Sequence, residues 1–352
     1  MTEPPRLLGI SISALGDTVM CLPALDALRR SYPNAQIGFL VRPEFKDLFG
    51  GQPSVNVVLG AAVPSAKTIE GLRKLVGLAR VVRNFKPDAA FLFVGTPRYV
   101  ELILRLSGAK KIYRVPNYTG IRWLLTNRKL SAENDWDTTK HGIEDRLRAV
   151  RLFGVRATLT PMQLSVSGAW VSEAMEWLKA REWKNQRIVV LQVGASSVRR
   201  RWPQDRFAAL ACRLVTEFSN ARCVITGSLH ELAYCRQVVD FANDDRVATS
   251  AGELSLCGLA GLISLSSLLV TPDTGTMHLG HAVGVNSVCL YTFSDVQRTQ
   301  ALDDGFLHTI IQRRPPSTTK LSPEQMDSCM SLLSLEDVYD VCSDVLRKTA
   351  PS

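Results

Sequence analysis

Hydrophobic residues in the first half of the chain form short unbroken runs, separated by segments with helical spacing. Continuous apolar runs of this length are typical of strands buried on both faces of a parallel sheet. The runs interpreted as strands are Leu7–Ser13, Gln36–Val41, Val55–Leu59 and Ala89–Val94. The segments with a period near 3.6 residues predict helices over Val19–Arg30, Thr68–Arg83 and His141–Phe153.

The second half repeats this alternation with an unrelated sequence. Its predicted strands are Arg187–Val193, Cys223–Thr226, Leu268–Thr271 and Ser287–Tyr291. Its predicted helices are Asp205–Phe218, Leu229–Phe241, Leu254–Leu262, Thr276–Val283 and Leu335–Leu346. Strands that alternate with helices indicate a parallel sheet with helices on both faces.

Length and alternation together predict an α/β protein with two Rossmann-like domains that face a cleft. The chain has 352 residues, and domains of about 150 residues are usual. We expect one domain over residues 1–165, a second over 166–334, and a last helical segment over 335–352. Ligands of such sheets bind beyond the carboxyl ends of the strands, so the loops at those ends are the candidate sites.

The charge of the chain favours anionic partners. The formal net charge is +9, and the excess is concentrated in residues 98–156 and in the run Arg199–Arg201. Most charges of the first segment are interpreted as solvated helix faces. Phosphorylated sugars or anionic lipid headgroups fit such a chain better than nucleic acid, because the basic residues lack interleaved aromatic residues and no helix-turn-helix pattern is present.

The remaining composition predicts a cytoplasmic protein without a metal or other cofactor. The eight cysteines include no Cys-x-x-Cys pair and no histidine at zinc-ligand spacing. Residues Met1–Pro5 lack the basic region of a signal peptide. The uncharged stretch Leu254–Pro272 is interpreted as a buried helix and strand, so any membrane contact is expected to be peripheral, at the cytoplasmic face of the inner membrane.

The first candidate loop follows the strand Leu7–Ser13 and contains Gly16, Asp17 and Thr18. Gly16 allows close approach of a ligand to the backbone, and Asp17 places a carboxylate at the mouth of the expected cleft. An aspartate here is equally suited to cap the helix that follows, so the position alone leaves both roles open. The loop matches neither the dinucleotide fingerprint nor a P-loop.

Two loops of the second half could bind phosphate. In the first, Gly194, Ser196 and Ser197 precede the arginine run, and arginine forks match phosphate oxygens. Water-facing arginines are the alternative interpretation. The second loop is Asp273-Thr274-Gly275-Thr276 with His278 one turn further, where a helix N-terminus attracts anions; His278 is equally typical of a core residue. Elsewhere, Glu231 could accept hydrogen bonds from ribose hydroxyls or simply favour a helix start.

Taken together, these loops resemble glycosyltransferase family 9, which includes the lipopolysaccharide heptosyltransferases. The stretches that carry the resemblance are Ser13–Asp17 with Leu22–Leu25, Gly194–Ser196 with Arg200–Pro203 and Arg206-Phe207, and Asp273–Leu279. His141 and the helix after it also resemble a family segment. The chain departs from the family pattern at Gln192-Val193, where His-Pro is frequent, and at Arg200, where lysine is usual.

The resemblance implies a GT-B fold in which the N-terminal domain binds the acceptor and the C-terminal domain binds the nucleotide sugar, with the last helix crossing back to the first domain. It implies that Asp17 is the general base of an inverting, metal-independent transfer, and that Gly16, Thr18 and His141 lie on the acceptor side. The residues implied on the donor side are Gly194, Ser196, Ser197, Arg200, Arg201, Glu231, Asp273, Thr274, Gly275, Thr276 and His278.

The expected donor is a nucleotide-diphosphate sugar, in the first place ADP-heptose, and the expected acceptor is a glycan or lipid-linked glycan of the lipopolysaccharide core. Two alternatives remain open at this point. The chain could be a non-catalytic nucleotide-sugar-binding or scaffold protein with a GT-B shell, or a sugar-nucleotide epimerase.

Overall fold

The computed structural model describes residues 3–62, 69–115, 120–129, 139–292, 295–313 and 329–349. The chain divides into two compact units, Met1–Ser165 (the first unit) and Val166–Ser352 (the second unit). Each unit is built on one sheet whose paired strands are all parallel. The α/β class predicted from the alternating pattern is confirmed.

The sheet of the first unit has the strand order β3-β2-β1-β4-β5. Its strands are β1 (Arg6–Ser11), β2 (Gln36–Val41), β3 (Val57–Gly60), β4 (Ala89–Leu92) and β5 (Lys111–Arg114). The order reverses direction between β1 and β4, and such a switch point opens a crevice at the carboxyl ends of the two strands. The loops after β1 and β4 therefore form the natural site of this unit.

Helices cover the first sheet, and one predicted helix is divided in two. The helices are α1 (Leu15–Val19), α2 (Leu22–Ser31), α3 (Lys46–Phe49), α4 (Ile69–Phe85), α5 (Tyr99–Leu106) and α6 (Gly142–Arg151), with 3₁₀ turns at Pro43–Phe45 and Arg122–Leu124. The predicted helix Val19–Arg30 is divided because a new helix starts at Leu22 with Pro23 in its first turn, where the missing N–H of proline costs nothing. The predicted irregular segment Trp123–Thr139 lies partly outside the described residues.

The sheet of the second unit has the order β11-β10-β9-β6-β7-β8. Its strands are β6 (Arg187–Gln192), β7 (Ala221–Thr226), β8 (Val247–Thr249), β9 (Leu268–Pro272), β10 (Ser287–Tyr291) and β11 (His308–Gln312). Here the switch point lies between β6 and β9. The two loops expected to bind phosphate follow these two strands, so they flank one crevice.

The helices of the second unit are α7 (Gly168–Lys179), α8 (Gln204–Glu217), α9 (Leu232–Ala242), α10 (Leu256–Leu265), α11 (Gly275–Val283), α12 (Val296–Thr299) and α13 (Leu335–Lys348), with 3₁₀ turns at Val198–Arg200, Leu229–Glu231 and Cys329–Leu332. Among the described residues, no helix combines the length and the apolar character needed to cross a bilayer. The uncharged stretch Leu254–Pro272 contains the ten-residue α10 and then β9.

The last helix, α13, packs in the second unit, whereas the resemblance predicts that it crosses back to the first. Its buried side chains Val338, Cys342, Val345 and Leu346 belong to the hydrophobic core that β6, β7, β9 and α8 also form. These four residues are spaced as one helical stripe, so the helix buries its whole apolar face on this sheet. The expectation of a separate C-terminal segment over 335–352 is therefore corrected: α13 is part of the second unit's core.

Candidate active site

The carboxylate of Asp17 lies just beyond the carboxyl end of β1, in the short helix α1. Ser13 Oγ donates to Asp17 Oδ2 at 2.8 Å, and Arg146 Nη2 donates to Asp17 Oδ1 at 2.8 Å. The N-cap of α1 is Ala14, which has no capping side chain. The carboxylate of Asp17 is thus bound by a hydroxyl and a guanidinium group, which removes the helix-cap interpretation of this residue.

The loop after β4 packs tightly against Ser13 and Asp17. Gly95 has a φ of +85°, and a Cβ atom there would lie 2.2 Å from Ser13 Oγ and 3.6 Å from Asp17 Oδ2. Only glycine tolerates both the left-handed backbone and this approach. The two loops of the switch point therefore meet around Ser13, while the side chain of Asp17 keeps 33% of its surface exposed to solvent.

Arg146, on α6, is the residue of this site that the sequence interpretation does not identify. Its side chain is only 2% exposed, and it also donates to Asp17 O at 3.2 Å and to Gly142 O at 2.7 Å. Burial by itself lowers the pKa of Arg146, but the neighbouring Cys21 and Asp17 outweigh burial and leave this pKa raised. Burial also raises the pKa of the Cys21 thiol to about 11, so this thiol is protonated at neutral pH.

The other residues expected on the acceptor side serve the local structure. Thr18 Oγ1 donates to Ala14 O at 3.0 Å and lies 3.1 Å from Ser11 Oγ. Gly16 is buried in α1. His141 is the N-cap of α6, because its Nδ1 accepts a hydrogen bond from Ile143 N at 3.2 Å. A direct role of these three residues toward an acceptor stays a prediction.

In the second unit, Arg200 joins the loops after β6 and β9. Its Nη2 donates to Ser196 Oγ at 2.9 Å, and its Nη1 donates to Asp273 O at 2.8 Å. The carboxylate of Asp273 lies 3.6 Å from the same guanidinium group. Arg200 closes the 3₁₀ turn Val198–Arg200, whose N-cap is Ser197, and this turn directs its side chain across the crevice.

Arg201 points to a different neighbour. Its Nε donates to Ala195 O at 3.0 Å, and its guanidinium group lies 3.8 Å from Glu231 Oε1 and 5.1 Å from the centre of the Tyr234 ring. The structure therefore separates the two arginines: Arg200 reaches the helix start at Asp273, and Arg201 lies against the loop after β7.

The start of α11 offers an anion site of the expected kind. Thr274 is its N-cap residue, and the Thr274 side chain does not cap the helix. The first-turn N–H groups at Gly275 and Thr276 thus face the end of the sheet with the positive end of the helix dipole. His278, one turn on, is buried, with its ring centre 6.3 Å from that of His281, which fits the core interpretation of His278.

Glu231 closes a capping box with Ser228, because Glu231 Oε2 accepts from the Ser228 backbone N–H and from Ser228 Oγ, both at 2.9 Å. This arrangement matches the structural interpretation of Glu231 as a residue at a helix start. The same carboxylate touches the position of Gly194, where a Cβ atom would lie 2.1 Å from Glu231 Oε1. Gly194 therefore keeps the loop after β6 close to Glu231, and contact of Glu231 with a ribose stays a prediction.

Residues 106–326 match the sequence family described as glycosyltransferase family 9 (heptosyltransferase). This match spans more than half of the chain. The chain belongs to glycosyltransferase family 9. It is therefore a glycosyltransferase, as the resemblance of its loops predicts.

Individual members of the family are only distantly similar. Lipopolysaccharide heptosyltransferase 3 of Escherichia coli is 21% identical over 80% of this chain and 81% of its own length. The structure of E. coli ADP-heptose lps heptosyltransferase II has a TM-score of 0.79 and 19% identity, covering 98% of this chain and 100% of that one. E. coli heptosyltransferase WaaC with ADP-2-deoxy-2-fluoro heptose has a TM-score of 0.71 and 17% identity, covering 96% and 99%. These likenesses confirm the GT-B fold.

Gln192 is a second residue of the family 9 site that the sequence interpretation does not assign. Its Oε1 accepts hydrogen bonds from Thr226 Oγ1 at 3.1 Å and from Thr276 Oγ1 at 3.0 Å. Its Nε2 donates to Gly194 O at 3.1 Å. One amide at the end of β6 thus holds the loops after β6, β7 and β9, and its departure from the frequent family pattern is the only sequence signal that marks it.

No group of three or more histidine, cysteine, aspartate or glutamate side chains within the described ranges is arranged to hold a metal ion. The Asp-x-Asp sequence formed by Asp135 and Asp137 lies outside those ranges. The charged groups that the described crevice offers to a diphosphate are therefore the guanidinium groups and the start of α11.

Proposed function

We propose that this family 9 enzyme transfers a heptose from ADP-heptose to a hydroxyl group of a lipopolysaccharide-core glycan, with inversion at the anomeric carbon and without a metal ion. The relatives named above support this donor and this acceptor class. The observation that carries the proposal is the carboxylate of Asp17, one-third exposed at the β1–β4 switch point and held by Ser13 and Arg146.

In the proposed reaction the acceptor hydroxyl transfers its proton to Asp17 while its oxygen forms a bond to the anomeric carbon. The bond from that carbon to the diphosphate oxygen breaks, and ADP leaves with the electron pair. General-base catalysis requires the base to approach the hydroxyl within hydrogen-bond distance. The two contacts of Asp17 fix the direction of its carboxylate, and its exposed third leaves room for that hydroxyl.

The second unit is assigned the donor. Negative charge grows on the leaving diphosphate, and preorganised donors stabilise such charge most effectively. Arg200 and the first-turn N–H groups of α11 supply them, since Arg200 already bridges Ser196 and Asp273 beside that helix start. Diphosphate oxygens would replace these two neutral oxygens as the partners of Arg200.

The decisive experiment compares the wild-type enzyme with Asp17→Asn. Asparagine keeps the shape of the side chain but accepts no proton, so kcat should fall by about 10²–10⁴-fold while ADP binding measured by calorimetry stays unchanged. Asp47→Asn is the matched control, because Asp47 is exposed on α3 of the same unit. Full turnover by Asp17→Asn would remove the base from the proposal.

Donor identity and metal independence have their own tests. A thermal-shift series with ADP-, GDP-, UDP- and dTDP-sugars should show stabilisation by the ADP-sugar above the others, because a ligand that binds only the folded state raises the melting temperature. Turnover abolished by EDTA and restored by magnesium would contradict the metal-free mechanism. Peripheral contact with the membrane that holds a lipid-linked acceptor stays a prediction of this proposal.

A further inference from the structure

Several large apolar side chains of the first unit are exposed on neighbouring elements. Val76 on α4 is 60% exposed, Leu106 at the end of α5 is 68% exposed, and Trp123 in the 3₁₀ turn Arg122–Leu124 is 69% exposed. Leu102 lies one turn before Leu106 on the same face of α5. Exposed apolar side chains that gather on one surface mark a contact site more often than scattered ones do.

Side-chain contacts hold these three elements together. Arg105 of α5 donates through Nε and Nη2 to Leu124 O at 2.9 and 2.7 Å, which fixes the turn that carries Trp123 beside α5. Ser107 Oγ donates to Ala79 O of α4 at 3.3 Å. The elements that carry the exposed apolar residues are therefore neighbours, and we name the area formed by α4, α5 and the turn the α4–α5 surface.

The charges on the α4–α5 surface are almost all positive. Exposed arginines accompany the apolar residues on each side, namely Arg73, Arg80, Arg83 and Arg122. Of the acidic residues on α4, α5 and the turn, Glu70 is paired with Lys74, and Glu101 is buried against Arg114. The described part of this surface thus presents a cationic field around its apolar residues.

A cationic cavity of about 580 Å³ borders this surface. Its lining includes the four basic residues Arg6, Arg83, Lys86 and Lys110, and it also contains Ser107 and Gly108, which directly follow Leu106. Of its two acidic residues, Glu3 and Asp88, the carboxylate of Asp88 is already bound by Lys110 Nζ at 2.8 Å and by Arg6 N at 3.0 Å. Arg83 and Lys86 form no ion pair with any residue that the structure describes.

Lys86 occupies an unfavourable backbone position. It follows the end of α4 with a φ of +53°, where glycine or asparagine is the residue with the lowest cost. Lys86 lines the cavity in spite of this backbone cost. Such an outlier points to a use of the side chain rather than to the needs of the helix end.

We propose that the α4–α5 surface and its cavity dock the enzyme on a bilayer that contains anionic phospholipids. The cavity would take a phosphate-bearing headgroup, and Val76, Leu106 and Trp123 would enter the interface. A cationic rim around exposed leucine and tryptophan is the composition of interfacial membrane anchors. The purpose of this docking depends on the lipid-linked acceptor proposed above, but the docking itself does not depend on transfer.

The docking surface and the base lie at opposite ends of β1. Arg6 begins this strand and Ser11 ends it, and six residues at about 3.3 Å each span roughly 20 Å. A membrane bound at the cavity would therefore leave Asp17 well away from the bilayer. Glycan carried by a lipid, and not the lipid itself, would reach the carboxylate.

The test is flotation of the whole enzyme with vesicles, in the absence of donor and acceptor. We expect binding to phosphatidylcholine vesicles that contain about one third phosphatidylglycerol, no binding to pure phosphatidylcholine, and a loss of binding as salt is raised. Each basic residue near an anionic surface changes the binding constant about fivefold, so the double variant Arg83→Gln with Lys86→Asn should bind about 25-fold more weakly. Trp123→Ser should weaken binding without changing its salt dependence.

Two comparisons decide the outcome. The double variant Lys179→Gln with Arg236→Gln removes the same charge from exposed positions of the second unit and should bind vesicles like the wild type. If both double variants lose vesicle binding equally, the net charge of the protein and not this surface is responsible, and the proposal is overturned. Lys86→Asn should keep or raise the melting temperature, so its weaker binding cannot come from unfolding. If the double variant Arg83→Gln with Lys86→Asn keeps its vesicle binding but loses binding to a protein or to nucleic acid, the α4–α5 surface binds that partner and the membrane proposal is overturned.

Vesicle binding and transfer are distinguishable. Turnover on a soluble acceptor fragment should be the same for Trp123→Ser and the wild type, because Trp123 lies outside the proposed site. Normal vesicle binding by Asp17→Asn, with lost turnover, would support both proposals independently.

Discussion

Arg146→Met tests whether the buried guanidinium group orients the proposed base. Methionine fills a similar volume without a charge or a hydrogen-bond donor, so the variant leaves Asp17 with Ser13 as its remaining side-chain partner. We expect kcat to fall while the affinity for ADP, which is assigned to the second unit, stays unchanged. A base that is present but rotates freely spends less time in the reactive direction.

The size of the effect follows from the contacts. Arg146 donates to Asp17 Oδ1, Asp17 O and Gly142 O, and a hydrogen bond to a charged group contributes about 1.5–3 kcal/mol. If the bond to Oδ1 is the one that orients the carboxylate, its loss lowers kcat by roughly 10- to 150-fold. That range reaches only the lower end of the effect of about 10²–10⁴-fold expected when the base itself is removed.

Stability should change less than activity. Removal of the buried charge recovers its desolvation cost, and the carboxylate of Asp17, one-third exposed, is solvated by water once its partner is gone. We therefore expect the free energy of unfolding to fall by less than the about 3–5 kcal/mol that is typical when one partner of a fully buried pair is removed. Arg151→Met is the matched control on the same helix, because Arg151 pairs with Glu144 and not with Asp17.

The assay is steady-state turnover at saturating donor and acceptor, combined with a double-mutant cycle. A residue that acts only through Asp17 adds nothing once the base is absent, so Asp17→Asn with Arg146→Met should turn over as slowly as Asp17→Asn alone. Losses that multiply would refute the orienting role. So would an Arg146→Met enzyme with wild-type kcat.

Two further predictions concern the second unit. Arg200→Ala should weaken ADP binding in calorimetry by roughly 10- to 150-fold, which corresponds to the loss of one charge-assisted hydrogen bond. Arg201→Ala should weaken ADP binding by less than about threefold, because Arg201 faces Ala195 and Tyr234. A larger effect of Arg201→Ala than of Arg200→Ala would contradict the assignment of Arg200 to the diphosphate. The hydrogen bonds that Arg246 donates, against the effect of burial, hold the pKa of Asp244 below its ordinary value, so the stability that the carboxylate contributes is present at neutral pH and is lost as the pH falls below about 4. Asp244→Asn should therefore melt about 1–4 °C lower than the wild type at pH 7, whereas at pH 2 the two proteins should melt at the same temperature. A difference that stays constant across this range would contradict the linkage.

The architecture could be predicted from sequence because the inner strands of parallel sheets are buried on both faces. Such strands are expected to be continuous apolar runs, and β1, β2, β6 and β9 show this pattern. The strands without a sequence prediction, β5, β8 and β11, all lie at sheet edges. Edge strands pair on one side only, so the exposed Lys111 is tolerated in β5. Arg114 of the same strand is buried as the ion-pair partner of Glu101, and these two basic residues remove the apolar signal.

The destination of the last helix could not be predicted from its pattern. The stripe of apolar residues on α13 shows that one face must be buried, but it does not show on which sheet. The structure decides through long-range partners: Trp202 Nε1 donates to Leu333 O at 2.9 Å just before the helix, and Ser343 Oγ donates to Glu217 Oε1 of α8 at 2.8 Å. Both partners are more than 120 residues away in sequence.

The residues proposed to act on the substrates are easier to select from the sequence than the residues that hold them. Asp17 and Arg200 stand at strand ends, where a motif of a few residues is sufficient to mark them. Arg146 contacts Asp17 across 129 residues, and no local spacing connects an arginine inside a helix to a carboxylate so distant. Whether Asp17 caps its helix depends on the direction of its side chain. Ser13 and Arg146 fix that direction in the folded protein, and the sequence around Asp17 does not show it.

Gln192 shows why a departure from a family pattern deserves a physical explanation. Its amide accepts two hydroxyl hydrogen bonds through Oε1 and donates one through Nε2. A neutral imidazole has one donor and one acceptor nitrogen, so a histidine could not accept from both Thr226 and Thr276 while it donates to Gly194. The glutamine therefore ties three strand ends together with a single side chain. Since Thr276 stands in the first turn of the helix assigned to the donor phosphates, this tie sets the position of the anion site relative to the loop that carries Arg200.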